Sequence, residues 1–275
     1  MKKSGKIYVV THKEYTISDL LLKKGYELIS VGNANQSNNL GVKDSSLENI
    51  TSKNPNFCEL TALYWIWNND VDSKYKGLVH YRRYLTTNAF NDSEKYYLDM
   101  KDVEHDIESE KYEIIVPKMQ YFTRTASENY LRCGYVKDIQ TTRNVVLEKY
   151  PEYIEYFDDV FNGNRSYLTN IMISKAEIFD TYCNWLFDIL FEVENRTDLT
   201  GYSVQEARIY GYLSERLLTV WILKNKLKVK EYDFINTDEP KNIPYYVKQF
   251  AINIKVYQTS KTIFWKLKKY LKSKC

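Results

Sequence analysis

The sequence predicts an α/β fold, a mainly parallel sheet flanked by helices, and three observations carry that expectation. Short apolar runs of strand length alternate with longer segments of helical period along most of the chain. Nine glycines and five prolines in 275 residues are too few for a sandwich or barrel built from many tight turns. Hydrophobic residues make up 44% and charged residues 27%, ordinary globular usage, so the chain can bury a sizeable core and is neither fibrous nor disordered throughout.

Taken in order, Lys6 to Val10 and Glu27 to Val31 read as the first two strands. The Asn-rich stretch Gly32 to Asn39 is expected to be an exposed loop. Asn54-Pro55 reads as an N-cap and a proline at the first helical position, and Phe57, Leu60, Leu63, Tyr64 and Trp67 continue at helical spacing, predicting a helix to about Asn69. Gly77 to Val79 and Glu113 to Val116 read as buried strands, with a helix around Tyr96 to Ser109 between them. Ser127 to about Phe161 is helical and interrupted, and Pro151 opens its last segment. Leu168 to Ile173 reads as a strand and Ala176 to Val193 as a helix. Ser203-Val204-Gln205-Glu206 is a capping box opening a helix to about Asn225. There is no internal repeat and no clear interdomain linker, so residues 1–240 are assigned to one domain and 241–275 to a tail.

The tail is set apart by its charge. The whole chain is formally +3, yet residues 248–275 hold eight lysines and no Asp or Glu, which leaves the body acidic. An acidic body argues against nucleic acid as a partner. In the tail Ile263, Phe264, Leu267, Tyr270 and Leu271 recur at helical spacing between lysines, the pattern of a basic amphipathic helix on an anionic membrane surface; a docked C-terminal helix is the alternative. Ile7 to Val10 is too short for the apolar core of a signal peptide, and no uncharged apolar run approaches the ~18 residues needed to span a bilayer. Four separated cysteines without CxxC spacing suggest neither zinc nor a disulfide framework. A cytoplasmic protein, peripherally attached to the inner face of the cell membrane, is the expected setting.

Several familiar sites are missing. The sequence has no G-x-x-x-x-G-K-[ST] loop, no G-x-G-x-x-G after the first strand, no HExxH and no G-x-S-x-G. What remains is polar residues at predicted strand ends, where open α/β sheets hold their ligands. The first strand ends in Thr11, His12 and Lys13, and the strand at Gly77 to Val79 runs into His80, Tyr81, Arg82 and Arg83. Paired arginines suit a pyrophosphate. A structural ion-pair network is the alternative. Asp70-Val71-Asp72 has the D-x-D pattern of a divalent-ion site but precedes a strand instead of following one, so no metal is assigned. Arg208, Tyr212 and Glu215 share one helical stripe, which a salt-bridged face would also produce.

The ordered set Asn49-Ile50, Asn54-Pro55-Asn56-Phe57-Cys58-Glu59-Leu60-Thr61-Ala62-Leu63-Tyr64-Trp65-Ile66-Trp67 and Gly77-Leu78-Val79-His80-Tyr81-Arg82-Arg83-Tyr84 resembles a bacterial glycosyltransferase family long catalogued as a domain of unknown function and found in capsule, exopolysaccharide and O-antigen gene clusters. The likeness continues through Ile114 to Lys118, Asn170 to Ile173, Trp185 to Phe187 and Gly211 to Leu218, covering about residues 6 to 235. Ser45-Ser46-Leu47-Glu48 departs from it, standing where an Asp-Thr-Gly-Asp-like stretch is common. The resemblance implies a GT-A-like, Rossmann-related fold and transfer of a hexose with inversion from a nucleotide-sugar such as a UDP-sugar. Some members resemble galactofuranosyltransferases. The implied acceptor is a saccharide or a lipid-linked saccharide.

An inverting transferase needs a base for the acceptor hydroxyl and positive charge for the departing diphosphate. Glu215 is the candidate base, ahead of Glu206, which belongs to the capping box, and of Glu59, which the dipole of its own helix would explain. Arg82 and Arg83 are the diphosphate candidates. Thr11, His12, Lys13, Asp44, Asn49, His80, Tyr81 and Arg208 are candidates for donor contacts, and Asn170 for an acceptor contact. No divalent metal is expected. The competing reading is a non-catalytic saccharide- or nucleotide-binding subunit of a polysaccharide assembly complex.

Overall fold

A computed structural model describes residues 4–37 and 41–238. The tail at 241–275, with its proposed membrane helix, lies outside the described residues. Among the described residues ten strands carry the fold: β1 (Lys6–Thr11), β2 (Tyr26–Ser30), β3 (Val42–Lys43), β4 (Tyr75–His80), β5 (Arg83–Thr86), β6 (Ile114–Pro117), β7 (Gln120–Tyr121), β8 (Arg165–Ser166), β9 (Met172–Lys175) and β10 (Val229–Asn236). Eight of them form one sheet, while β7 and β8 pair separately.

The sheet is mixed, which corrects the expectation of a mainly parallel one. Strands β3, β2, β1 and β4 run parallel in that order, and β10 runs parallel to β6. Strand β9 is antiparallel to both β4 and β6, and β5 is antiparallel to β4 and β10. Strand β1 is the topological switch point, with β2 on one side and β4 on the other. Its alternation is used on both faces: Tyr8 and Val10 enter one core, Ile7 and Val9 the other, so the run is apolar throughout.

The helices are α1 (Asp19–Lys23), α2 (Ala34–Ser37), α3 (Asn54–Phe57), α4 (Leu60–Asn69), α5 (Met100–Glu104), α6 (Ala126–Tyr130), α7 (Val136–Lys149), α8 (Ile154–Asn162), α9 (Ala176–Asn195) and α10 (Ile209–Lys224). Helices α3, α4 and α7 to α10 enclose the larger core. Helix α10 is apolar nearly all round because it is buried nearly all round, from Ile209 through Ile222. No helix among the described residues is long and apolar enough to cross a membrane.

Three boundaries differ from the periodicity for identifiable reasons. The helix expected from Asn54 to Asn69 is broken at Cys58, whose φ of 54° is left-handed. Asn54 is not the cap: its side-chain amide bridges the break by donating to the Cys58 carbonyl at 2.9 Å. The strand expected at Leu168 to Ile173 starts only at Met172, because Thr169 and Asn170 have φ of 83° and 54°. Helix α5 ends at Glu104 and the chain continues as a π-helical turn over His105–Ser109.

Candidate functional site

Parallel strands β1, β2 and β4 end together, and beyond their carboxyl ends opens a cleft of about 1160 Å3. A cleft at a switch point is where an open α/β sheet binds its ligand. Its wall is built from the end of β1, the chain after β2 and around the end of β3, the stretch from Thr51 to Glu59 with its break at Cys58, the turn from β4 into β5, and the first turns of α10.

The β4–β5 turn carries the positive charge. His80 pairs with Arg83 across the hairpin, and the Tyr81 backbone N–H donates to the Val10 carbonyl at 3.0 Å, tying the turn to the end of β1. Arg82 lies over the Tyr81 ring, 5.6 Å from its centroid, and donates to Asp238 at 2.8 Å. Arg83 also lines the cleft and has no ion-pair partner among the described residues. Arg208 enters from the foot of α10, donates through Nε to Cys58 Sγ at 3.0 Å and lies over the Tyr212 ring. His12 completes the group. Partial burial, and after it the charges of Lys13, Arg82 and Arg208, lower its proton affinity. A surplus of fixed cations in a cleft is the electrostatic setting for a phosphorylated ligand.

Facing these cations are two carboxylates, Glu59 and Glu215. Glu215 Oε1 accepts the Thr169 backbone N–H at 2.8 Å, and Oε2 accepts Arg216 at 2.7 Å. Burial raises its pKa above the usual 4.5 against the opposing pull of Arg216, and the charge of Glu59 raises it further. The side chain remains 17% exposed. Asn170 Nδ2 donates to Glu59 Oε1 at 2.8 Å and to the Gly211 carbonyl at 3.1 Å, while Ser214 donates to Asn170 Oδ1 at 2.9 Å. The left-handed pair Thr169 and Asn170 thus holds both acids through one strained bend. His80 Nε2 lies 2.6 Å from the Thr169 carbonyl, so that nitrogen carries the proton and donates. Burial keeps the His80 pKa below its usual value.

Glu59 therefore does more than compensate a dipole. It makes no side-chain capping bond to its own helix, and the break at Cys58 turns it toward Asn170 and the cleft. The stripe Arg208, Tyr212 and Glu215 is likewise a wall of the cleft and not an outer salt-bridged face. The loop after β2, expected to be exposed, contributes Gly32, Asn33, Asn35 and Gln36 to the wall. The sequence signal for it was its place after a strand end, the same logic that found Arg82.

His12, His80, Tyr81, Arg82, Arg83, Arg208 and Glu215 come together in the cleft. The other candidates stand around it. Thr11 is buried and closes a turn with Lys13, donating to its carbonyl at 2.8 Å and accepting its N–H at 3.1 Å. Asp44 is buried behind the wall and accepts from Asn35 and Thr51. Asn49 braces its own loop through the Ser45 and Leu47 carbonyls. Asn170 is 4% exposed and acts through Glu59 and α10. Glu206 accepts from the Ser203 N–H at 2.8 Å and from the Tyr135 hydroxyl at 2.6 Å, as a capping residue. Asp70 lies at the other end of β4, where it accepts the Tyr8 hydroxyl at 3.0 Å and the Ser73 N–H at 3.2 Å. Among the described residues no group of three or more His, Cys, Asp or Glu side chains could hold a metal ion.

Comparison with known proteins adds a family and a fold. The family model described as "Domain of unknown function (DUF4422)" matches residues 6–226. Among solved structures, the apo form of the WbbM bifunctional glycosyltransferase is similar to this chain at a TM-score of 0.75 and 29% identity over 86% of this chain. The matched region is 46% of WbbM, so this chain spans about half the length of that enzyme. Core-mannan synthase A (CmsA/Ktr4) from Aspergillus fumigatus, in its Mn/GDP form, matches at a TM-score of 0.36 and 11% identity over 83% of this chain and 72% of that one. No protein of curated function matches.

Proposed function

This chain belongs to the DUF4422 family, and from that premise we propose that it is a glycosyltransferase that moves a hexose from a nucleotide-sugar to a saccharide or lipid-linked acceptor. The observation that carries the reading is one cleft at the switch point of the sheet in which Arg82, Arg83 and Arg208 face Glu59 and Glu215. The likeness to a bifunctional glycosyltransferase supports it. The donor is a UDP-hexose, with UDP-galactofuranose a member of the class to test first, and surface-polysaccharide synthesis is the setting. The lysine-rich stretch 248–275 supports a place at an anionic membrane surface on the cytoplasmic side.

In this reading the acceptor oxygen attacks the anomeric carbon as the bond from that carbon to the diphosphate oxygen breaks, inverting the centre. The proton of the acceptor hydroxyl goes to Glu215, whose raised pKa suits a general base. The electron pair of the broken bond leaves with the diphosphate, whose growing charge is met by Arg83, Arg82 and Arg208. Glu59, with one oxygen engaged by Asn170, is the second carboxylate and the runner-up for the base.

The test is a panel of UDP-sugars and bacterial glycan acceptors with the purified protein, read by product formation and anomeric configuration. Transfer with inversion is the expected result. Saturable donor binding with no transfer to any acceptor would favour the binding-subunit reading.

A further inference from the structure

Glu215 is anchored from behind the cleft as well as from its wall. Its neighbour Arg216 does not line the cleft, and its side chain is only 3% exposed. Nη1 donates to Glu215 Oε2 at 2.7 Å and to the Tyr212 carbonyl at 2.9 Å, while Nη2 donates to Asn129 Oδ1 at 2.6 Å. The guanidinium carbon is 5.7 Å from the centroid of the Tyr130 ring, so helix α6 offers this cation both an acceptor and an aromatic face. Tyr130 is itself fully enclosed, and its hydroxyl donates to the buried Asp138 at 2.9 Å, which fixes the ring. Arg216 Nε is closed off from solvent and has no hydrogen-bond partner. An enclosed donor left empty is a cost, so this position is not one that satisfies the guanidinium for its own sake. What it secures is a bridge from Asn129 to Glu215.

Several elements bring charge to Glu215. After burial, which raises its pKa, Arg216 on α10 lowers it, Glu59 at the head of α4 raises it, and the Thr169 N–H and Arg83 on β5 lower it. Cys58, Cys133 and Tyr212 also interact with Glu215, but burial pushes up the pKa of each, and they are uncharged near neutral pH. His80 meets the bend through the Thr169 carbonyl, and burial keeps it uncharged there too. Among the described residues Arg216 is the cation that forms an ion pair with Glu215.

We propose that Arg216, held by Asn129 and Tyr130, is the positioning residue that keeps Glu215 ionised and aimed for the acceptor hydroxyl. The proposal rests on the transferase reading with Glu215 as its base. A guanidinium donates, never accepts and stays charged wherever Glu215 titrates, so Arg216 cannot take the proton itself. The Thr169 N–H on Oε1 and Arg216 on Oε2 fix the plane of the carboxylate, and the second lone pair of each oxygen remains for the proton. A buried acid without its countercharge holds its own proton and cannot act as a base. Helix α6, which does not line the cleft, thereby takes part in readying the base.

The experiment is the pH profile of kcat/KM, with the donor and acceptor that the UDP-sugar panel selects, together with calorimetric titration of UDP and a thermal melt. It compares the full wild-type chain with Arg216→Met, Arg216→Lys and Asn129→Ala. Arg216→Met keeps the bulk of the side chain and removes its charge. A base of higher pKa is ionised only above a higher pH, so the acidic limb should move up by about 1 to 3 pH units. Transfer should recover above the new limb, and UDP affinity should stay within about twofold of the wild type. Arg216→Lys keeps the charge without the planar fork, so its limb should stay near that of the wild type while kcat falls. Asn129→Ala removes the acceptor of Nη2, should move the limb the same way by less, and keeps the test intact if Arg216→Met does not fold. A loss of transfer uniform with pH in folded Arg216→Met, an unmoved limb in folded Asn129→Ala, or a limb displaced equally in Arg216→Lys and Arg216→Met overturns the proposal and leaves the transferase reading in place. A wild-type protein that transfers no sugar overturns that reading and this proposal with it.

Discussion

The Thr169 backbone N–H donates to Glu215 Oε1 at 2.8 Å from a residue whose own φ is 83°. A β-branched residue is rarely held in that region, so surrounding contacts must enforce it. They are visible on both sides: the Thr169 carbonyl accepts from His80, and the next residue, Asn170, is fastened to Glu59, Gly211 and Ser214. Strain in one bend thus fixes the direction of two carboxylates contributed by separate helices.

That geometry separates the two acids experimentally. Glu215→Gln keeps the shape and can still accept the Thr169 N–H but cannot take a proton, so donor binding should persist while turnover falls roughly 10²- to 10⁴-fold. Glu59→Gln should cost about tenfold through altered positioning. In the wild type the acidic limb of kcat/KM should lie above 4.5, because burial raises the Glu215 pKa and the base works only above it. The limb should be lost in Glu215→Gln. A larger turnover defect in Glu59→Gln would transfer the role to Glu59.

The parts of this site that the sequence made legible were those tied to a strand end or to helical period. Arg82 and Arg83 follow an apolar run, and Arg208, Tyr212 and Glu215 keep i, i+4, i+7 spacing. The parts that stayed hidden depend on single left-handed residues or on distant pairing. Nothing in the apolar period from Phe57 to Trp67 announces the break at Cys58, so Glu59 looked like an ordinary first-turn acid. Nothing local announces that Arg83 to Thr86 pairs with Asp233 to Asn236, 150 residues later, which is one reason the sheet came out mixed.

Below the site, Lys76 in β4 has a side chain only 2% exposed and reaches Asp180 of α9 at 2.6 Å. Removing the partner of a buried charge leaves that charge uncompensated, whereas replacing the charge with an apolar side chain of similar size does not; Asp180 itself is 42% exposed, so solvent offsets part of the loss. Asp180→Ala should therefore cost about 1 to 2 kcal/mol, a loss of roughly 2 to 8 °C in melting temperature. Lys76→Met should be close to neutral. Equal melting losses for the two variants would show that the packing of the Lys76 stem, and not its charge, sets the cost.

Transfer is expected to survive EDTA, because three arginine side chains line the cleft where the diphosphate is proposed to leave. The check is initial rate with and without chelator, followed by addition of Mn²⁺ or Mg²⁺. A rate abolished by EDTA and restored by either ion would assign the leaving-group charge to a metal and reduce the arginines to binding.

The two adjacent arginines should not respond alike. Arg82 already donates to Asp238 at 2.8 Å and lies over Tyr81, so part of its charge is spent within the protein. Arg83 has no ion pair among the described residues, and its charge acts on both Glu215 and His80. A charge with no ion pair among the described residues can engage a diphosphate without a competing salt bridge being broken first. Arg83→Ala should cost about 1.5 to 3 kcal/mol in transition-state stabilisation, roughly 10- to 150-fold in kcat/KM. Arg82→Ala should cost less, and Asp238→Ala, which removes that ion pair, should leave kcat/KM unchanged or improve it. Melting temperatures within about 2 °C of the wild type would show that these are effects on transfer and not on folding. If Arg82→Ala proves the more damaging, the ion pair with Asp238 is a device that aims Arg82 at the diphosphate, and Asp238→Ala should then reproduce the loss.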